Sequence, residues 1–165
     1  MILDLEPIFN NEGLSKSFDY ELDLKDECFD GEFPFTSPAA VKGSVKNHTG
    51  IVELDADVSL TLSVSCARCA KPLNYPVDIG LNHTLVVNVN DENNDELIVI
   101  DDYRFDLDRL VTEDIFLSLP SKFLCSEDCK GLCPTCGKDL NEGTCSCQKE
   151  VDPRWAALTQ LLDND

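Results

Sequence analysis

Positive charge is scarce in this sequence: 165 residues carry 13 Lys and Arg against 32 Asp and Glu, a formal net charge of −19. Such a chain lacks the broad basic surface that neutralises phosphates, the source of most non-specific nucleic-acid affinity. Whole-surface binding to DNA, RNA or anionic lipid is therefore disfavoured. Histidine is scarce too, and two of them leave little general-base chemistry near neutral pH. There is no Gly-rich phosphate loop, no H-E-x-x-H and no G-x-S-x-G, so none of the chemistries those motifs serve is indicated and the expectation is a protein that is not an enzyme. Met1 to Phe9 has Asp4 and Glu6 where an export signal needs positive charge, and its longest apolar run is three residues. The expectation is a cytoplasmic chain with no export signal, no membrane span and no small-molecule substrate. Aromatics are only 7%, but with 42% apolar residues and ordinary glycine and proline counts the composition is globular. One domain with an appendage fits this length.

Cysteine is what the sequence does have, nine of them. In a reducing compartment, closely spaced cysteines more often hold metal or do redox chemistry than form structural disulfides. Six fall in one stretch: Cys125-x3-Cys129-x3-Cys133-x2-Cys136-x8-Cys145-x-Cys147. A zinc ion wants about four thiolates in a tetrahedron, and a C-x2-C turn followed by glycine lets two sulfurs converge under backbone N–H groups. Cys133-Pro-Thr-Cys136-Gly137 has that form, and the turn at Asn141-Glu142-Gly143 can return Cys145 and Cys147 toward it. Cys125 or Cys129 can complete the set. Six cysteines exceed one site by two, so either two are spectators or a second site recruits Cys66 and Cys69, another C-x2-C at the tip of a hairpin. One zinc ion is the leading reading, and two remain open.

Competing readings exist. Cys133 and Cys136 also resemble a thiol oxidoreductase pair, but such pairs follow a strand and open a helix, whereas Gly137 and a turn follow here. A rubredoxin-like iron site calls for two C-P-x-C-G knuckles, and one is present. Cys28 stands alone as a spare thiol. The acid pairs Asp101-Asp102 and Glu113-Asp114 read as solvated surface rather than catalytic carboxylates.

The acidity is unevenly spread. Met1 to Phe35 has 10 acids and 2 bases, Asp91 to Pro120 again 10 and 2, and Ser121 to Asp165 8 and 5. Thr36 to Asn90, with 4 and 4, is neutral. Only that middle can face an anionic partner without heavy self-repulsion, which makes Lys42, Lys46, Arg68 and Lys71 the candidate RNA contacts. The alternative is that these are ordinary solvated strand residues.

Hydrophobic periodicity sets the fold class. Val52, Leu54, Ala56, Val58, Leu60, Leu62 and Val64 alternate with polar residues, which predicts a long half-buried strand. The pattern recurs at Tyr75, Val77, Ile79 and Leu81, then Leu85, Val87 and Val89, with His83 on the apolar face as a hydrogen-bonded core or rim histidine. Phe18, Tyr20, Leu22 and Leu24 alternate likewise, and Leu97 to Ile100 reads as a further short strand after a solvated loop at Asp91 to Glu96. Asp106 can cap a helix bearing Leu107, Leu110, Val111 and Ile115 that Pro120 ends, and Asp152-Pro153 can open a last one with Trp155, Leu158, Leu161 and Leu162. The expectation is an α+β protein: a mainly antiparallel β sheet or partly closed barrel, one or two short helices and a small C-terminal zinc knuckle. Its parts are a β-rich core over residues 1–120 with a helix at about 106–118, a cysteine-rich segment over 121–150, and a short helix over 151–165.

Leu119-Pro120, the run from Cys125-Ser-Glu-Asp-Cys129 through Lys-Gly-Leu-Cys133-Pro-Thr-Cys136-Gly-Lys-Asp-Leu-Asn141, Cys145-Ser-Cys147 and Asp152-Pro-Arg154-Trp155 together resemble the cysteine-rich form of the bacterial YceD family. Cys66-Ala-Arg-Cys69 and the acidic run into Phe105-Asp106-Leu107 fit as well, so the likeness covers roughly Ile51 to Leu162. The resemblance implies a cytoplasmic, non-catalytic role in accumulation or maturation of large-subunit ribosomal RNA, and genomic association with a small zinc-binding protein of that subunit. Many family members lack these cysteines, which implies that metal is not indispensable to the shared function and that in this form it stabilises the C-terminal segment. The partner is then large-subunit ribosomal RNA; the alternative is an acidic chaperone or adaptor for a basic ribosomal protein.

Overall fold

The computed structural model describes residues 1–87, 97–100 and 102–147. Its elements run β1 (Ile2–Asp4), α1 (Glu6–Asn10), β2 (Ser15–Leu22), β3 (Ala39–His48), β4 (Ile51–Ser65), β5 (Pro72–Val86), β6 (Leu97–Val99), β7 (Arg104–Asp106) and α2 (Leu107–Ser118). The chain divides into two compact units, one of residues 1–65 and 72–123, the other of residues 66–71 with the chain from Leu124 onward.

Strand β4 follows its sequence pattern without a slip, every even-numbered residue from Val52 to Val64 being buried and every odd-numbered one exposed. Burying one face of fifteen consecutive residues fixes the register, because a shift of one would turn seven apolar side chains to water. β5 pairs antiparallel with β4 from Pro72 opposite Ser65 to Leu85 opposite Val52. The sheet order is β2-β3-β4-β5-β6, and β1 and β7 form a separate antiparallel pair. Among the described residues the sheet is open, not a barrel.

Most of the sheet is antiparallel as expected, but β6 runs parallel to β5, with Thr84 opposite Leu97. Alternation reports which face a residue occupies and carries no information about the direction of the neighbouring strand. The core lies between the apolar face of the sheet and α2, where Val41, Val45, Leu54, Leu62 and Leu85 meet Leu107, Val111 and Ile115, all nearly or fully inaccessible. An aromatic cluster of Phe29, Phe35, Tyr75, Phe116 and Phe123 closes one end, with Tyr75 and Phe123 centroids 5.1 Å apart and edge to face.

Helix α2 starts where the capping residue predicts, yet Asp106 makes no side-chain cap hydrogen bond. The helix stops at Leu119, held extended (φ −69°, ψ 138°) as a residue before proline prefers. His83 Nε2 lies 2.7 Å from Asp114 Oδ2, so the histidine on the apolar strand face is the paired residue the sequence predicts. The expected strand continuation at Val89, the loop at Asp91 to Glu96 and the helix after Asp152 fall outside the described residues.

Candidate metal centre

Two groups of four cysteine sulfurs converge in the second unit. Cys66, Cys69, Cys125 and Cys129 form one, Cys133, Cys136, Cys145 and Cys147 the other, and within each the sulfurs lie within 4.8 Å of one another. Each quartet can hold a metal ion. The six cysteines of the C-terminal stretch thus do not form a single set: Cys125 and Cys129 join Cys66 and Cys69 instead. Cys28 is exposed and belongs to neither.

Both C-x2-C turns are built alike. The Cys66 N–H donates to the Lys71 carbonyl at 2.9 Å and the Ala70 N–H to the Cys66 carbonyl at 2.9 Å; the Cys133 N–H donates to Lys138 and the Gly137 N–H to Cys133, both at 2.8 Å. The residue after the second cysteine is left-handed in both turns, Ala70 at φ 56° and Gly137 at φ 71°. Glycine takes that conformation freely, whereas for alanine it costs about 1–2 kcal/mol. The turn aims N–H groups at the first sulfur, those of Arg68 and Cys69 at Cys66 and those of Thr135 and Cys136 at Cys133.

Those N–H groups favour thiolate. Cys66 is drawn down to about 6 by the Cys69 N–H first, with Arg68 and Cys125 N–H groups adding to it against burial. Cys133 falls to about 6 under the Cys136 and Thr135 N–H groups and the Cys145 side chain. Burial pushes Cys129 up, but the Asn141 amide, the Gly131 N–H and the neighbouring sulfurs outweigh it and its thiol ends lowered. Other sulfurs move the opposite way. Cys69 is favoured as thiolate by the Lys71 N–H, yet burial and the sulfurs of Cys66, Cys125 and Cys129 carry it up to about 12. Cys125 is raised chiefly by Cys129, and Cys147 to about 12 chiefly by Cys136. Crowded sulfurs resist sharing full negative charge, and a divalent cation removes that resistance.

The spacing suits such a cation. With zinc–sulfur bonds of about 2.3 Å, the edge of a tetrahedron is about 3.8 Å. Cys66 and Cys129 sulfurs stand 3.8 Å apart, Cys69 and Cys125 sulfurs 3.7 Å. The donor set, four thiolates with no carboxylate or imidazole, fits zinc or another thiophilic ion.

Three residues whose roles the spacing did not reveal support the first quartet. Arg68 Nη1 donates to the carbonyls of Glu127 at 3.0 Å and Cys129 at 2.8 Å, while the Arg68 carbonyl accepts from the Leu132 N–H at 3.1 Å. Gly131 (φ 74°) lies so close that a Cβ there would meet the Arg68 carbonyl oxygen at 2.9 Å. Asn141 accepts from the Lys130 N–H through Oδ1 at 2.8 Å and donates from Nδ2 toward Cys129 Sγ at 3.5 Å. The signal that could have found the two sites is the repeat of C-x-x-C, a small residue and lysine at Cys66 to Lys71 and Cys133 to Lys138.

The remaining candidates are placed as follows. Lys42 and Lys46 sit on the exposed face of β3, Lys42 paired with Asp19 at 2.8 Å and opposite Asp57, Lys46 opposite Glu53. Lys71 follows the first knuckle and is exposed. Of the acid pair on α2, Glu113 meets Arg109 at 2.9 Å and Asp114 meets His83. No helix follows Cys136 among the described residues.

No described helix is long and apolar enough to cross a membrane. No solved structure matches this chain. Among curated proteins, Bacillus subtilis YlbN is 32% identical over 132 residues, covering 78% of this chain and 77% of its own. A Mycobacterium tuberculosis protein is 34% identical over 101 residues, covering 59% and 49%. The maize protein named Large ribosomal RNA subunit accumulation protein YCED homolog 1, chloroplastic, is 26% identical over 146 residues, covering 68% and 49%. The chain spans about half the length of the mycobacterial and maize relatives. Residues 54–162, from β4 past both quartets, match the family model for Large ribosomal RNA subunit accumulation protein YceD, and the chain belongs to the YceD family.

Proposed function

We propose that this protein supports accumulation or maturation of large-subunit ribosomal RNA by binding rather than by catalysis, with zinc on its cysteines as a structural element. The observation that carries the reading is the extent of the family match, which takes in the long hairpin, α2 and all eight quartet cysteines. The two histidines fit a binding role: His83 joins strand to helix through Asp114, and His48 ends β3 at the surface. The reading entails a cytoplasmic location, where ribosomal subunits are made in bacteria.

The contact surface separates two versions of this role. For RNA, the candidates are Lys42, Lys46, Arg68 and Lys71. Arg68 is engaged by two carbonyls and Lys42 by Asp19, which makes Lys46 and Lys71 the cleaner probes. The exposed sheet face favours the other version. Asp19, Glu21, Glu53, Asp55, Asp57 and Asp78 share it with Lys42 and Lys46, a field suited to a basic ribosomal protein.

Capture of the tagged chain from extract of its source cells across a salt series, with and without ribonuclease, tests both. Large-subunit RNA lost on ribonuclease treatment supports RNA contact, and a ribonuclease-resistant basic protein released by salt supports the adaptor. Enrichment of neither over an unrelated protein of equal charge overturns the proposal.

A further inference from the structure

The two quartets are chemically alike but differently enclosed. In the first, Cys66, Cys69 and Cys129 are 3%, 7% and 3% exposed, and only Cys125 is open to solvent. In the second, only Cys133 is buried; Cys136 and Cys147 are exposed and Cys145 is half-buried. Exchange of a thiolate-bound ion begins when a competing ligand or an electrophile reaches a sulfur, so enclosure governs its rate.

The outer contacts are unequal as well. Around the first quartet the Cys125 N–H donates toward Cys66 Sγ at 3.4 Å, and the Arg68 guanidinium fixes the carbonyls of Glu127 and Cys129. One of these contacts comes from the second quartet's own loop. Asn141 lies between Cys136 and Cys145, yet its amide reaches Cys129 Sγ and the Lys130 N–H. Asp139 Oδ1 orients it by accepting from both the Asn141 N–H at 2.8 Å and Nδ2 at 2.7 Å. The second ribbon thereby holds up a sulfur of the first.

We propose that the protein carries two separate zinc centres of unequal permanence: a retained one on Cys66, Cys69, Cys125 and Cys129, and an exchangeable one on Cys133, Cys136, Cys145 and Cys147. Asn141 is the positioning residue through which the second supports the first. This rests on the reading of the quartets as zinc sites. An ion leaving for a chelator returns four sulfurs to protons from water, with no change of oxidation state.

The test uses the full chain, loaded with zinc and titrated with EDTA in the presence of N-ethylmaleimide. Native mass spectrometry counts the ions, and peptide mapping locates the labels. Two ions per chain are expected, lost in two steps, with Cys136 and Cys147 labelled in the first and Cys66 and Cys69 only in the second. Asn141→Asp keeps the acceptor for Lys130 but lacks the N–H donor to sulfur. It is expected to move the second step to about tenfold lower chelator and leave the first in place. Loss of both ions in a single step, or earlier labelling of Cys66 and Cys69, overturns the inequality while leaving zinc binding intact. An unmoved second step in N141D removes the supporting role from Asn141. A folded chain that takes up no zinc overturns the zinc reading itself.

Discussion

Tyr20 lies half-buried on β2, its hydroxyl enclosed without a hydrogen-bond partner among the described residues. Burial, and secondly the nearby Asp106 carboxylate, raise its pKa from 10.0 to about 12. The folded chain therefore prefers the neutral phenol. That preference contributes stability fully below pH 10 and loses it as pH climbs through about 12. Tyr20→Phe has no hydroxyl to strand, so it is expected to melt no lower than the parent at neutral pH and increasingly higher as pH passes 10. Paired thermal melts across alkaline pH check this, because the other titrating groups are common to both proteins. A variant that falls below the parent throughout would mean the hydroxyl has a partner. Other residue-scale roles were hidden in the sequence because their partners are distant in the chain. Asn47, 3% exposed, donates to the Ile8 carbonyl at 2.8 Å and accepts from the Gly50 N–H at 3.0 Å. Arg68 read as a candidate RNA contact, and spacing carried no hint that two carbonyls occupy it.

Among the elements, those with long unbroken periodicity were legible, as was the short apolar run of β6, and the other short or mixed ones were not. β4, β5, β2 and α2 follow their patterns because each buries one continuous face. β3 was obscured by Gly43, where an added Cβ would meet the Asp55 carbonyl oxygen at 2.3 Å. The residue that lets β3 and β4 approach so closely is the one that interrupts the apolar alternation Ala39, Val41, Val45. α1 is only five residues long and begins without a side-chain cap, so no local signal marks it. α2 buries three side chains completely: Leu107, Val111 and Ile115 are fully inaccessible, while Leu117 on its far side is 83% exposed. Ile115→Ala opens a cavity in that seam and is expected to destabilise the chain by about 2–5 kcal/mol, whereas Leu117→Ala changes stability by less than about 0.5 kcal/mol. Chemical denaturation of the two variants, compared at equal m-value, checks the difference. Equal losses would place the helix off the sheet.

For the molecule as a whole, the charge of −19 acquires a location. The middle of the chain sums to zero, but folding sets Lys42 and Lys46 among the carboxylates of neighbouring strands, so segment neutrality does not become a neutral surface. The second unit is balanced along its described residues, with Arg68, Lys71, Lys130 and Lys138 against Glu127, Asp128, Asp139 and Glu142. A filled four-thiolate zinc site carries a charge of about −2, so two of them, as proposed, would make this unit acidic as well. With the quartets filled as proposed, both units would carry the charge that suits the basic partner of the adaptor reading. Their foldedness rests on different physics. The first has an apolar core in which no cysteine takes part. The second has Cys66, Cys69, Cys129 and Cys133 as its buried apolar residues among those described, so with metal bound as proposed, binding and local folding would be one process there. Removing the metal is expected to leave the far-ultraviolet signal of the sheet largely intact. Amide exchange should become fast at Cys66, Ala70, Cys133, Gly137 and Leu140, whose N–H groups close the knuckles and the ribbon. Amides of β3, β4 and β5 should keep their protection. Hydrogen exchange read by mass spectrometry before and after chelation decides the matter: collapse of protection in β4 together with the knuckles would show that the sheet cannot stand without the metal, and unchanged exchange at the knuckles would show that the thiol quartets are held by their hydrogen bonds alone.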